Sequence, residues 1–232
     1  MKLQISIDDY NPGNIELAKL IKSYGLEKNT IFFIDLNGHK PREGEPLTEP
    51  KVEEQIGRLD RLGFTLGSHN IHHDNSLKGK GYEEQKWQIF ESKKEIERIT
   101  GKPCNHYCYN RGRSSEQIRQ LVKEAGYLSA RGTKVLCTKE PEDKFNTETT
   151  VHAFERKEYE GYDWNKVSMD ILEWCIFNKR PRPCEFYKLG GESKIRIEPG
   201  NYFHLWAHMK EISRPGEMDK FKSILECIQS DI

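Results

Sequence analysis

Short apolar segments alternate with longer amphipathic segments along this 232-residue chain, and this alternation constrains its fold more than any other feature. Seven segments have the length and the β-branched or aromatic content of strands: "LQISI", "NTIFFID", "FTLGSH", "NHYCY", "YLSAR", "TVHAF" and "YFHLWAH". Strands that alternate with helices indicate parallel pairing through crossover helices. The chain is therefore predicted to form one α/β domain over residues 1–232, built as a closed or nearly closed barrel of about seven parallel strands.

The intervening segments carry helical patterns. The segment after the first strand is predicted to be a helix that Gly25 stops, and residues 82–100 read as one long helix. Ser114 and Gln117 form a capping-box pattern at the start of another helix. Further helices are predicted in "PKVEEQIGRLDRLG", "DWNKVSMDILEWCIFN" and "MDKFKSILECIQ", and a small excursion or hairpin in "KRPRPCEFYKLGGESKIRIEPG".

Composition excludes several classes of partner. Lys plus Arg equals Asp plus Glu, 37 each, so no net charge favours nucleic acid or an acidic membrane surface. No apolar run approaches the roughly 18 residues of a membrane span. The segment "MKLQISIDD" leads directly into a strand without an apolar signal region, and the six cysteines are scattered. These features predict a cytoplasmic protein with no nucleic-acid partner and no integral membrane segment, and they leave the oligomeric state open.

Two adjacent carboxylates, Asp8 and Asp9, follow the first predicted strand. One interpretation is a helix N-cap, since Asn11 and Pro12 come next. The other is that one carboxylate holds a metal ion while its neighbour moves a proton. Functional groups collect at the carboxyl ends of parallel strands, and both acids could reach one site only where the strand uncoils.

Three of the eight histidines crowd into "GSHNIHHDN" after the third predicted strand, at the same end of the sheet as the two acids. His69 and His73 are four residues apart and would share one face of a helical turn. Two imidazoles and one carboxylate make a three-ligand site suited to zinc or another divalent ion. The competing interpretation is a polar loop that happens to be rich in histidine.

The last predicted strand contains His204 and His208 on one face, together with Trp206. His208 lies nearer the carboxyl end and is the better candidate for catalysis, whereas His204 reads equally well as a hydrogen-bonded core histidine. His39, His106 and His152 have no convergent partners in the sequence and are assigned no chemistry.

The ordered motifs resemble those of the polysaccharide deacetylases, the NodB-homology proteins of carbohydrate esterase family 4. The resemblance extends from "ISIDDY" through "GSHNIHH", "ITGKP" and "LVKEAGY" to "FHLWAHMKEI". It implies a distorted (β/α) barrel and one divalent metal ion, zinc with cobalt or nickel as alternatives. By the same resemblance Asp9, His69 and His73 would be the metal ligands, Asp8 the general base and His208 the general acid.

The chain departs from the family pattern in its third motif. In "YCYNRGR", Cys108 stands at the position of the family's arginine and Arg111 at that of its tyrosine. We hypothesise that Arg111, or else Arg113, supplies the missing positive charge. A backbone N–H at Arg111–Gly112 is the expected oxyanion donor.

The function implied is metal-dependent removal of an N-acetyl or other N-acyl group from a sugar or saccharide precursor by attack of an activated water. Two alternatives stay open. One is a related hydrolase of non-sugar C–N bonds, such as cyclic imides, ureides or formamides. The other is a catalytically silent carbohydrate-binding protein on the same fold. Trp206, Trp164 and Tyr10 are candidates for stacking on a sugar ring, although both tryptophans read more readily as core residues.

Overall fold

The computed structural model describes residues 2–36, 47–73, 77–155, 160, 164–177, 184–187, 194–197 and 200–229. Seven parallel strands form one curled sheet in the order β5-β4-β3-β2-β1-β9-β6. These strands are β1 (Lys2–Asp8), β2 (Thr30–Ile34), β3 (Thr65–Ser68), β4 (His106–Cys108), β5 (Ser129–Arg131), β6 (Val151–His152) and β9 (Tyr202–His208). The predicted fold class, a distorted (β/α) barrel of about seven parallel strands, is confirmed.

Helices follow the strands and cover the outside of the sheet. They are α1 (Asn14–Ser23), α2 (Pro50–Arg61), α3 (Tyr82–Thr100), α4 (Glu116–Glu124), α5 (Trp164–Phe177), α6 (Met209–Ile212) and α7 (Glu217–Gln229). The glycine predicted to stop α1, Gly25, has a φ of +72°, a value that glycine adopts without steric cost. Apolar side chains from the helices and from β1, β2 and β9 form the main core.

The capping box predicted at the start of α4 is wrong by one residue. Ser115 is the N-cap, and its hydroxyl accepts a hydrogen bond from the Ile118 N–H. The Gln117 side chain does not reach back to the cap, because its amide donates to Gln85 on α3 at 2.7 Å. Tertiary packing between two helices therefore decides the register of this cap.

The two edges of the curled sheet approach each other through the segment that links β5 to β6. The Gly132 N–H donates to the Thr147 carbonyl, and the Thr147 N–H donates to the Ala130 carbonyl. A predicted hairpin is also confirmed: β7 (Cys184–Tyr187) and β8 (Lys194–Ile197) pair antiparallel outside the main sheet. Within the described ranges, no helix is both long enough and apolar enough to cross a bilayer.

Candidate metal and catalytic site

The chain uncoils between the two adjacent carboxylates. Asp8 is the last residue of β1, whereas Asp9 has a φ of +70°, a left-handed conformation that Asp tolerates better than most residues. The Asp9 N–H donates to the Phe33 carbonyl at 3.0 Å, and the Asn14 side-chain amide donates to the Asp9 carbonyl at 3.0 Å. Neither carboxylate caps α1, whose N-cap is Gly13, so the helix-cap interpretation fails.

Asp9 lies against two histidines from the loop after β3. Its Oδ1 is 3.4 Å from His69 Nε2 and 3.5 Å from His73 Nε2, and the three potential ligand atoms lie within 4.8 Å of one another. The two imidazole rings have centroids 5.0 Å apart. A bend brings them together rather than a helical turn, because Asn70 between them has a φ of +72°.

The donor set fits a divalent cation. Oδ1 of Asp9 is buried and has no hydrogen-bond partner among the described residues, which is costly unless a cation binds it. Nδ1 of His69 lies 2.8 Å from the Cys108 carbonyl, so Nδ1 carries the ring proton and donates it to that oxygen. The lone pair of Nε2 then faces Asp9. Burial lowers the pKa of His69, which favours the neutral imidazole that binds metals.

Asp8 occupies a different environment, buried inside the curled sheet. It accepts hydrogen bonds from the Arg131 guanidinium and, at 2.7 Å, from Nε1 of Trp206, while the Cys108 thiol is 3.6 Å away. Burial alone would raise the pKa of Asp8. The charge of Arg131, with smaller contributions from His69 and His208, outweighs burial and lowers the pKa to about 2.

The positive charge beside Asp8 comes from Arg131, whereas the sequence-based hypothesis assigned it to Arg111 or Arg113. Arg131 is the last residue of β5 and pairs in register with Cys108 on β4. In parallel strands such partners point to the same face, so the small cysteine leaves room for the arginine beside it. Its guanidinium also lies between the rings of Phe33 and Trp206, 5.0 and 5.4 Å from their centroids.

Arg111 lies in the three-residue 3-10 turn after β4, with a φ of +55°. The Gly112 N–H in this turn donates to the Tyr109 carbonyl at 2.8 Å. The Gly112 N–H is therefore already hydrogen-bonded within the turn. The signal for Arg131 was present in the sequence as a charged residue closing the apolar segment "YLSAR".

His208 lies at the carboxyl end of β9, with Nε2 4.0 Å from Oδ2 of Asp9. Its Nδ1 is 2.9 Å from the Glu211 carboxylate, which also lies 3.1 Å from Nε2 of His152. Burial would lower the pKa of His208, but the hydrogen bond to Glu211 and the nearby Asp8 and Asp9 charges raise it. The expectation that His152 has no convergent partner is wrong, because β6 lies beside β9 and brings it to this cluster.

The remaining candidates lie in the core or outside the site. His204 is buried, with one ring nitrogen 2.9 Å from the Ser6 hydroxyl and the other 2.8 Å from the Tyr202 hydroxyl. Trp206 and Trp164 are also buried, which excludes them as exposed stacking platforms. Tyr10 is partly buried, and its N–H donates to Asp35, a buried carboxylate after β2 that the sequence reasoning missed. His39 lies outside the described residues.

Comparison with known proteins gives a family match and several similar folds. The family model described as polysaccharide deacetylase matches residues 3–130. No curated protein sequence matches significantly. A mutant of a CE4 family pseudoenzyme with restored enzymatic activity superposes with a TM-score of 0.56 at 13% identity, over 99% of this chain and 63% of that one.

Two further structures resemble the fold over 98% of this chain. A family 4 acetyl xylan esterase from Clostridium thermocellum, in complex with a cobalt ion, has a TM-score of 0.56 at 10% identity, over 83% of its own chain. A peptidoglycan N-acetylglucosamine deacetylase has a TM-score of 0.55 at 14% identity, over 79% of its own chain. Because the family model covers more than half of the sequence, the chain belongs to the polysaccharide deacetylase family.

Proposed function

We propose that this protein is a metal-dependent hydrolase that removes an N-acetyl group from a sugar or saccharide precursor. The observation that carries the proposal is the convergence of Asp9, His69 and His73, with a buried Asp9 oxygen that lacks a hydrogen-bond partner among the described residues. Asp8 pairs in register with His208 on the neighbouring strand, and His208 Nε2 lies 4.0 Å from Oδ2 of Asp9, so groups for proton removal and proton donation lie beside the same cluster. Family membership and the acetyl-directed enzymes with similar folds support the same chemistry.

The ion would be held by Asp9, His69 and His73. We propose that it is zinc, with cobalt or nickel as alternatives. When bound, a divalent cation polarises an amide oxygen and lowers the pKa of a coordinated water. Asp8 would take the proton from the attacking water. Its low pKa keeps it ionised at neutral pH, while Arg131 and Trp206 fix its orientation.

His208 would donate a proton to the departing amine, which is too basic to leave as an anion. Glu211 stabilises the protonated ring through Nδ1, so the Nε2 proton is available to a substrate on the Asp9 side. A backbone N–H of the Arg111–Gly112 turn would stabilise the developing oxyanion, whereas Arg131 is the arginine that orients Asp8.

The first test is metal content measured by elemental analysis of tag-free protein purified without chelator. We expect about one divalent ion per chain, and its loss in His69→Ala, because each missing ligand weakens a three-ligand site. His72→Ala is the matched control, since His72 lies in the same loop but outside the ligand cluster. Failure of the wild-type protein to take up zinc, cobalt or nickel would overturn the proposed mechanism.

The second test is acetate release from N-acetylglucosamine oligosaccharides by the metal-loaded protein. Asp8→Asn should retain the metal and lose about 10²–10⁴-fold in rate, the usual contribution of a general base. Formate release or ring opening of cyclic imides without acetate release would favour the hydrolase of non-sugar C–N bonds. Saccharide binding without turnover by metal-loaded protein would favour the silent binding protein.

A further inference from the structure

A cavity lies at the end of the sheet opposite to the candidate metal site. Its volume is about 410 Å³, within the range of small-molecule pockets. Residues at the amino-terminal ends of five strands line it: Lys2 and Gln4 of β1, Thr65 of β3, His106 of β4, Ser129 of β5 and Tyr202 of β9. The cavity is therefore the lower part of the barrel interior, separate from the loops that carry Asp9, His69 and His73.

The cationic side chains around this cavity outnumber the anionic ones. Two of these cations already form ion pairs: Lys2 pairs with Glu140, and Arg131 pairs with Asp8. Lys28 and Lys144 also line the cavity, and neither forms an ion pair with any residue in the described ranges. Two positive charges are therefore left without a partner of opposite sign among the residues that the structure describes.

Arg131 adds a buried charged side chain to the cavity wall. Arg131 lines the cavity with a side chain that is 3% exposed, and its Nε has no hydrogen-bond partner among the described residues. Its other nitrogens donate to Asp8 and to the Gly132 carbonyl. Nε itself is buried from solvent, so a ligand in the cavity would meet Arg131 through the rest of its side chain.

The remainder of the wall is apolar. Ile31 and Phe33 of β2 form a buried cluster with Cys108 inside the sheet, and Leu128 at the rim is 61% exposed, one of only two large apolar side chains so exposed in the described chain. A solvated inorganic ion would leave this apolar surface unused. An anion that carries a compact apolar body would cover it and reach the unpaired cations at the same time.

We propose that this cavity binds a small organic anion whose carboxylate or phosphate group contacts Lys28 and Lys144, while its apolar body packs against Ile31 and Phe33 beside the Arg131 side chain. None of the residues that line this site is a proposed metal ligand, so its occupancy can be measured without the proposed deacetylase activity. Arg131 belongs to both places, however, so a bound anion would contact the side chain that holds Asp8.

Titration with benzoate, phenyl phosphate and neutral benzamide tests the proposal, with amide resonances of ¹⁵N-labelled protein in chloride buffer as the readout. Benzoate or phenyl phosphate should shift Thr65, Leu128 and Ser129, and benzamide should not. The double variant Lys28→Met/Lys144→Met should weaken anion binding by about tenfold or more, the value of one charge-assisted hydrogen bond. Lys78→Met is the matched control, an exposed lysine outside the cavity.

The anion that binds with the higher affinity identifies the preferred charged group as a carboxylate or a phosphate, and either result supports the proposed site. Absence of shifts with both anions, shifts with benzamide of equal size, or unchanged affinity in the double variant would each overturn it. The titration needs neither metal nor turnover, so its failure is distinguishable from failure of the deacetylase proposal.

Discussion

The buried pair of Asp8 and Arg131 gives the sharpest quantitative prediction. Their side chains are 2% and 3% exposed, and Trp206 Nε1 and the Cys108 thiol are the other donors beside Asp8. The pKa of Asp8 falls from 3.8 to about 2, which corresponds to about 2.5 kcal/mol of stabilisation of its ionised form in the folded state. This value already includes the unfavourable free energy of burying the Asp8 carboxylate.

Replacing Arg131 by Met removes the guanidinium but leaves the carboxylate buried. We expect the free energy of unfolding at pH 7 to fall by about 3–5 kcal/mol, the usual cost of breaking a buried ion pair. For a chain of this size the melting temperature should drop by about 6–20 °C. Urea denaturation and thermal melts measure both quantities. Arg98→Met is the control, because Arg98 makes exposed ion pairs with Glu53 and Glu95 and should cost less than about 1 kcal/mol.

The pH dependence gives an independent check on the same pair. The folded-state pKa of Asp8 is lower than its ordinary value, so its contribution to stability is present above about pH 4 and is lost as the pH falls toward 2. The stability difference between wild type and Arg131→Met should therefore be full at pH 7 and shrink in acid.

A double-mutant cycle separates the pair from general disruption. Asp8→Asn combined with Arg131→Met should cost less than the two single variants together, with a coupling energy of at least about 2 kcal/mol. Additive effects, or an Arg131→Met variant within about 1 kcal/mol of wild type, would refute the reasoning.

Two further predictions concern the histidines of β9. Glu211→Gln should lower the pKa of His208, whose protonated form Glu211 stabilises. The alkaline limb of the pH–rate profile should then move to lower pH while the acid limb stays in place, with Glu217→Gln as a control that changes neither. His204→Ala should reduce the free energy of unfolding by about 2–4 kcal/mol, since it opens a cavity and removes the hydrogen-bond partner of the Ser6 hydroxyl and one of the two partners of the Tyr202 hydroxyl, yet metal content should not change. Loss of metal in His204→Ala at temperatures where it is folded would contradict its assignment to the core.

Periodicity was sufficient for the architecture, because burial of one helix face and of short apolar strands follows local sequence. All seven parallel strands and the side hairpin correspond to segments recognised from their residues. The convergence of Asp9, His69 and His73 also followed from a simple rule, since loops at the carboxyl ends of neighbouring parallel strands must lie close together. The left-handed backbone conformation of Asp9 allows the adjacent carboxylates of Asp8 and Asp9 to lie in different environments.

What the sequence alone determined, then, is the set of parallel strands and the groups at their carboxyl ends. The tertiary structure decided which side chains support those groups. Arg131 reaches Asp8 because β5 pairs with β4 in the register that places it beside Cys108, and His152 reaches His208 because β6 pairs with β9. Strand register and strand order depend on packing between segments that are distant in the chain. A local residue pattern does not specify which distant segments pair or in which register.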